Sequence, residues 1–353
     1  MDFNPYAKNK ILVRSVDKNE QMHTYDISTL VTGLQYSTVL EGQPGKLTFQ
    51  LQKDPNGILN IHNGSSISFT RNNKGIFFGY VFDMGTDANE TYQITAYDQL
   101  RYFQNEETEF FGTKNVQEVF SYLCNKHLIK NYKIIEPCTF VCPKKLYEGQ
   151  SLFAIMKNQF DNAFINDKSK YYFLKDNFGI LEFTSLQQNK TNLVIGEKSL
   201  LTSYNFEISI DKDTFNNIKL VKVYNSEDKK GKKTDTKIIV PYTAKDNGTQ
   251  QRWGFLQKVV NVDENMNQAQ IIELGNKLLE WHNQEKKTFK LSALGVDGIN
   301  AGSGISVNIP RLNTKKKDEN GSETNEYLDM WVVGATHTYQ KNMHTMELTV
   351  QTF

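Results

Sequence analysis

Cysteine and histidine are the residues here best able to do chemistry, and they gather in two places. Cys124-Asn125-Lys126-His127 and Cys138-Thr139-Phe140-Val141-Cys142 supply four soft donors, about the set a tetrahedral zinc ion needs. Cys124 and His127 would share a helix face, but Pro137 and Pro143 flank the second pair and its spacing is irregular for zinc. The expectation is buried structural thiols and no metal. His337 and His344 fall on the last two strands, with no carboxylate or nucleophile at motif spacing, so structural roles are expected for both. The run Gly295-Val296-Asp297-Gly298-Ile299-Asn300-Ala301-Gly302-Ser303-Gly304 lacks the lysine of a phosphate loop, and a strand rather than a helix follows it. Glu106, Glu107 and Glu109 read as solvated acids on a connection. Lys229-Lys230-Gly231-Lys232-Lys233 and Lys315-Lys316-Lys317 read as soluble hairpin tips. No catalytic, cofactor-binding or metal-binding residue is assigned.

The composition narrows the function further. At 353 residues two or three domains are expected, and 22 Phe, 17 Tyr and 3 Trp against only 7 Pro favour aromatic-rich β structure. Lys and Arg number 41 against 40 Asp and Glu, a formal charge of +1, which argues against a dedicated nucleic-acid binder. Met1 to Pro5 show no basic region followed by an apolar core, and no apolar run approaches the ~20 residues that span a bilayer, so a cytoplasmic origin is expected. Three cysteines fit free thiols in a reducing compartment.

The elements divide the chain in three. From Lys10 to Tyr97, short alternating segments (Ile11–Val13, Leu47–Leu51, Ile67–Thr70, Ile76–Phe82) are separated by turn signals at Asp54–Gly57, Asn63-Gly64 and Asn72–Gly75. They predict a small antiparallel barrel over residues 1–100. In an α+β middle stretch, 101–216, Val116, Val119, Phe120 and Leu123 follow an Asn115 cap with Glu118 three residues on, and Leu152, Ile155, Met156, Phe160 and Ala163 mark a second helix. Tyr171–Leu174 and Ile180–Phe183 predict a hairpin. Over 217–353 strands return at Leu220–Tyr224, Ile238–Val240, Trp253–Val260 and in the last 65 or so residues, with one helix whose face carries Ile271, Leu274, Leu278 and Trp281.

The outer stretches echo each other. Gly64-Ser65-Ser66-Ile67-Ser68-Phe69 and Gly302-Ser303-Gly304-Ile305-Ser306-Val307 share Gly-Ser-x-Ile-Ser-apolar, and Phe78-Gly79 and Val333-Gly334 follow them. The second interval is longer, and the polar tract Lys315–Glu326 accounts for the excess as an extended hairpin. The expected fold is therefore α+β, mainly β: two similar small antiparallel β-barrels around an α+β insertion.

Tyr97-Asp98-Gln99-Leu100-Arg101-Tyr102-Phe103 has the grammar of a strand-to-helix corner, Asp98 capping the turn and Arg101 placed to meet an opposite charge. With Ile76-Phe77-Phe78-Gly79-Tyr80-Val81 and Ile94-Thr95-Ala96 before it, the stretch resembles the baseplate hub proteins of contractile phage tails, in particular the hub of PBSX-like prophages and related tailocins. The closing segment Thr336-His337-Thr338-Tyr339 with His344-Thr345-Met346-Glu347-Leu348 is similar to the last hairpin of those proteins. The resemblance implies a non-enzymatic structural subunit, a homotrimer with two barrels per chain. It would join the sixfold tail tube protein to the threefold central spike protein beside other baseplate proteins, in a virion or tail-like particle, with no cofactor, no membrane and no specific nucleic-acid binding. The other reading kept open is a cell-wall or carbohydrate-binding tail module, which would need exposed aromatics where Trp253, Trp281 and Trp331 lie in apolar patterns.

Overall fold

The computed structural model describes residues 8–352 apart from 17–19, 53–58, 89–90, 167–169, 212, 228–232, 263–265, 311–314, 318–322, 326 and 341–342. The first seven strands are β1 (Asn9–Val16), β2 (Met22–Asp26), β3 (Val31–Val39), β4 (Lys46–Leu51), β5 (Ser66–Arg71), β6 (Lys74–Thr86) and β7 (Tyr92–Tyr97). Their inward positions alternate as a half-buried strand demands: Leu47, Phe49 and Leu51 on β4, Ile67 and Phe69 on β5. These close over a core that Tyr339, from the far end of the chain, also enters.

The middle stretch contains β8 (Glu106–Phe111), α1 (Val116–Lys126), β9 (Tyr132–Ile134), β10 (Lys145–Ser151), α2 (Leu152–Asn166), β11 (Tyr172–Asp176) and β12 (Leu181–Ser185). Both expected helices and the expected hairpin form. Asn115 caps α1 in a full capping box with Glu118, and Ser151 Oγ accepts from Ala154 N at 3.2 Å to open α2. The apolar faces of the two helices meet in an aromatic core around Phe103, Phe120, Phe160 and Phe183.

Next come β13 (Lys190–Gly196) and β14 (Leu201–Ser209), then a small unit of β15 (Asn217–Glu227), β16 (Lys233–Lys245), α3 (Asn247–Trp253), β17 (Gln257–Asn261) and α4 (Gln268–His282). α4 buries Ile271 and Leu278 against Ile218 and Leu220, as its periodicity predicted. Trp253 ends a helix rather than opening a strand, because Asp246 caps Thr249 N and the turn forms ahead of β17. The chain finishes with β18 (Lys286–Leu294), β19 (Gly304–Asn308), β20 (Lys315–Lys317), β21 (Glu323–Asn325), β22 (Leu328–Gln340) and β23 (Met343–Gln351). The extended hairpin expected after β19 is present as the β20–β21 pair. No described helix is long and apolar enough to cross a membrane.

The fold is mainly β, as expected, but the described strands form no closed barrel, so the expected pair of barrels is not borne out. Among the described residues one sheet runs β14-β18-β23-β22-β3-β4-β7-β6-β5-β1-β2, with β19 on β22 and β13 on β19. The reason lies in β22, which is long enough to take two different strands along one edge. Its first residues pair with β19, Ile305 opposite Met330, and its last with β3, Ala335 opposite Thr38.

Within that path the same arrangement occurs twice. Around the first core the order is β3-β4-β7-β6-β5-β1, and around the second it is β14-β18-β23-β22-β19-β13, with chain order preserved from one set to the other. β13 departs in direction, lying parallel to β19 where β1 is antiparallel to β5. The small unit β15–α4 is inserted between β14 and β18, and the β20–β21 hairpin between β19 and β22.

Candidate functional site: the seam between two β units

The shared Gly-Ser motif builds the same turn in both units. Gly64 and Gly302 each hold φ +90, a conformation that a side chain resists. Gly64 N donates to Val81 O at 2.8 Å and Val81 N to Ser65 O at 2.9 Å; Gly302 N donates to Val332 O at 2.8 Å and Val332 N to Ser303 O at 2.9 Å. The serine hydroxyls repeat the pattern, accepting from His62 N at 3.1 Å and from Asn300 N at 3.2 Å. Both receiving strands bulge one step later, between Val81 and Asp83 and between Val332 and Gly334. One part of the sequence match is corrected by this register. Gly79 lies opposite Ile67, whereas Met330 lies opposite Ile305, so Gly79 matches Met330, and Gly334 matches Asp83 at the bulge.

At the seam β3 adds to the second half of β22, and the chain leaving β3 seats Leu40. Leu40 N donates to Val333 O at 2.9 Å. The side chain, 7% exposed, packs in a cluster with Ala301, Trp331 and Val333. Thr38 Oγ1 accepts from Ala301 N at 2.9 Å.

A polar chain crosses the same seam. Arg71 Nε lies 3.3 Å from Asp297 Oδ2, and Asp297 Oδ1 lies 3.3 Å from His344 Nδ1. His344 Nε2 is 2.9 Å from His337 Nδ1, and His337 Nε2 is 2.7 Å from Ile299 O. The carbonyl can only accept, so His337 carries its proton on Nε2 and receives the His344 Nε2–H on its bare Nδ1. Burial depresses both rings, His337 to about 4 and His344 to about 3, so they are neutral at pH 7. Burial also pushes the Asp297 carboxyl up, against the opposing pull of the Arg71 guanidinium. Tyr339 stacks on His344 at 4.3 Å, and the Arg71 guanidinium sits 5.6 Å above the Tyr339 ring. The two histidines expected as structural therefore do have a carboxylate, brought by a loop from far along the chain where no spacing rule would find it. Each of these groups faces another in the chain, and the Asp297 side chain at its outer end stays 30% exposed.

Asp98 caps the 3₁₀ turn Gln99–Gln104, accepting from Leu100 N at 3.0 Å and from Gly45 N at 2.9 Å. Arg101 lies with its guanidinium 5.2 Å over the Phe82 ring. Burial raises Asp98, and Asp176 close by is raised to about 7, chiefly by burial. Like charges in a dry site cannot both ionise, so the pair holds a proton well above the usual carboxylate range.

The three thiols lie in the core of the middle stretch. Burial pushes Cys124 up and Cys142 up to about 12, and Cys142 Sγ lies 3.5 Å from Gln159 O. His127 faces Glu107 at 3.5 Å. Among the described residues no three His, Cys, Asp or Glu side chains are grouped to hold a metal. Thiols of this kind stay protonated and shielded, so native protein at pH 8 is expected to react with a thiol reagent at least tenfold more slowly than urea-unfolded protein; equal rates would contradict the burial.

Of the acids expected to be solvated, Glu106 is exposed, while Glu107 and Glu109 are only partly so and carry an ion pair. Glu107 and Glu109 stand on β8 and both grip Lys126 Nζ, at 2.7 and 2.6 Å, and hydrogen bonds from that ammonium lower both carboxyls. Trp281 packs edge-on against Phe164 at 4.1 Å, and Trp331 lies against the Leu40 cluster. Of the lysine runs, Lys229–Lys232 lies outside the described residues, as does the turn Asp54–Gly57, and Lys315–Lys317 forms β20.

Comparison with known proteins gives one consistent picture. The profile of the YQBQ-like family matches residues 34–351. The uncharacterized protein YqbQ of Bacillus subtilis (strain 168) is 24% identical over 324 residues, covering 89% of this chain and 91% of its own. The phage-like element PBSX protein XkdQ of the same organism is 22% identical over 292 residues, 82% of each chain. Among solved structures, the 43 kDa tail protein of prophage MuSo2 from Shewanella oneidensis superposes with a TM-score of 0.62 at 11% identity, over 97% of this chain and 98% of that one.

Proposed function

We propose that this chain, which belongs to the YQBQ-like family, is a structural baseplate hub subunit. Three copies form a ring that joins the sixfold tail tube to the threefold central spike. The observation that carries this reading is the repeated strand order with its repeated turn and bulge. A part that meets sixfold symmetry on one side and threefold on the other must present both, and three copies of a chain with two equivalent units do so. The likeness to a phage-element protein and to the fold of a prophage tail protein supports the same setting.

The reading includes a division into a first β unit to about residue 100, an α+β insertion to about 216 and a second β unit to 353, with β13 and β14 lent to the second unit from the middle stretch. No catalysis, cofactor, membrane contact or specific nucleic-acid binding belongs to it. Its partners are further copies of itself, the tube, the spike and neighbouring baseplate proteins, and its place is the baseplate of a virion or tail-like particle assembled in the host cytoplasm. The seam chemistry suits a static role, since buried neutral histidines locked into hydrogen bonds hold pieces together.

Native mass measurement over rising protein concentration tests the assembly. Conversion of monomer to trimer is expected, with a population that depends on concentration. A dimer or a hexamer as the end state would contradict it.

A further inference from the structure

The repeat matches the two seam strands to two strands whose corresponding edges carry no described partner. Following the pairings through both units, β14 corresponds to β3 and β6 to β22: Phe206 opposes Phe289 as Tyr36 opposes Leu47, and Val81 opposes Ala96 as Val332 opposes Val350. β3 and β22 are paired with each other, which joins the units inside one chain. β14 ends the sheet, and no described strand pairs with its outer edge. Asp83 to Thr86 of β6 pair with β7 on one side, while β5 reaches only to Tyr80 on the other.

Two further observations mark these edges as one interface. Ile208, which corresponds to Thr38, is 51% exposed on a strand edge, where an unpaired ladder and an apolar side chain together invite pairing. In the first unit, the residues corresponding to the Leu40 socket line an open groove of about 560 Å³: Asn63 stands where Ala301 stands, Tyr80 where Trp331 stands, and Phe82 where Val333 stands. Ile210, the residue that corresponds to Leu40, follows β14 directly.

We propose that β14 of one copy pairs antiparallel with Asp83–Thr86 of β6 in the neighbouring copy, in the register that β3 uses on β22, and that Ile210 fills the groove at Asn63, Tyr80 and Phe82. The register places Ser209 opposite Asp83, Ile208 opposite Met84, Glu207 opposite Gly85 and Phe206 opposite Thr86, and gives Ile210 N the carbonyl of Phe82 as Leu40 N has that of Val333. The contact is head to tail, so each copy gives one edge and receives another, and a ring satisfies every edge. The occupant is a second copy of this chain because the seam already displays the matching strand in place. The proposal rests on the ring reading and specifies its joint.

The test is an engineered disulfide in the full-length chain. Leu40 N bonds the carbonyl of the residue opposite it, so the next pair, Val39 with Gly334, is a closely spaced non-hydrogen-bonded one. Asp83 and Ser209 correspond to that pair. Asp83→Cys with Ser209→Cys is expected to give a reducible covalent trimer on mild oxidation, with more than tenfold more cross-linked product than Asp83→Cys with Ile208→Cys, whose side chains point to opposite faces. Ile210→Arg, which puts a charge into the groove, is expected to weaken self-association at least tenfold while circular dichroism stays unchanged. A trimer by native mass that fails to cross-link through Asp83→Cys and Ser209→Cys overturns the proposed joint and leaves the ring. A chain that stays monomeric at every soluble concentration overturns both.

Discussion

Gly302→Ala is expected to destabilise the protein by about 2–5 kcal/mol, roughly twice the cost of Gly64→Ala, although the two glycines make the same turn. Each has φ +90, so an alanine at either position carries backbone strain on the order of 1–2 kcal/mol. The surroundings differ. A Cβ on Gly64 meets nothing within 4 Å, while a Cβ on Gly302 falls 2.2 Å from the Phe173 ring. That ring is 2% exposed and packed among Tyr171, Leu186 and Ala301, so it has no room to yield, and overpacking adds roughly 1–3 kcal/mol. Urea unfolding of both variants measures the difference. Equal costs would mean that Phe173 does not close on the turn of the second unit.

The second large effect is a loss of stability in acid. His337 and His282 are depressed to about 4 and His344 to about 3, each mainly by burial. The unfolded chain takes up protons on these rings as pH falls through about 6.5, while the folded chain resists until about 4 or below. Folding stability is therefore highest above pH 6.5 and falls as pH drops toward 4, by several kcal/mol on the order of 1.4 for each pK unit and ring. Asp176 acts in the opposite sense. Its carboxyl, raised to about 7, keeps a proton in the folded chain that the unfolded chain releases, so it costs stability above pH 7 and the cost fades as pH falls to about 4. Asp176→Asn should thus be more stable than the parent at pH 8 and should lose more stability than the parent between pH 7 and 4.5. Urea midpoints at four pH values decide it, and a parent whose stability rises steadily from pH 7 down to 4 would show that the histidines are solvated.

Where local rules decide, the sequence was readable. The capping box at Asn115 and Glu118, the turn at Gly64 and Gly302, and the apolar periodicities of the helices follow from short-range chemistry. The repeat was legible at its turn, because φ +90 restricts the residue to glycine and the serine hydroxyl must accept from the backbone. It failed at Gly79 and Gly334 because the real correspondence depends on strand register and a bulge, which two apolar-glycine pairs cannot report. The absence of a closed barrel among the described strands was also beyond the pattern, since alternation along β22 is the same whether one strand or two pair along its edge. The seam chemistry escaped for a different reason. Arg71, Asp297 and His344 come from separate strands and a loop, and Glu107 and Glu109 looked solvated until Lys126 came across from α1.

The hub reading is tested most directly by imaging tail particles that carry this chain and locating and counting it. Three copies on the particle axis, between the end of the tube and the spike, with six similar β units around the channel, are expected. Six copies, or density for the chain on peripheral fibres, would contradict the account.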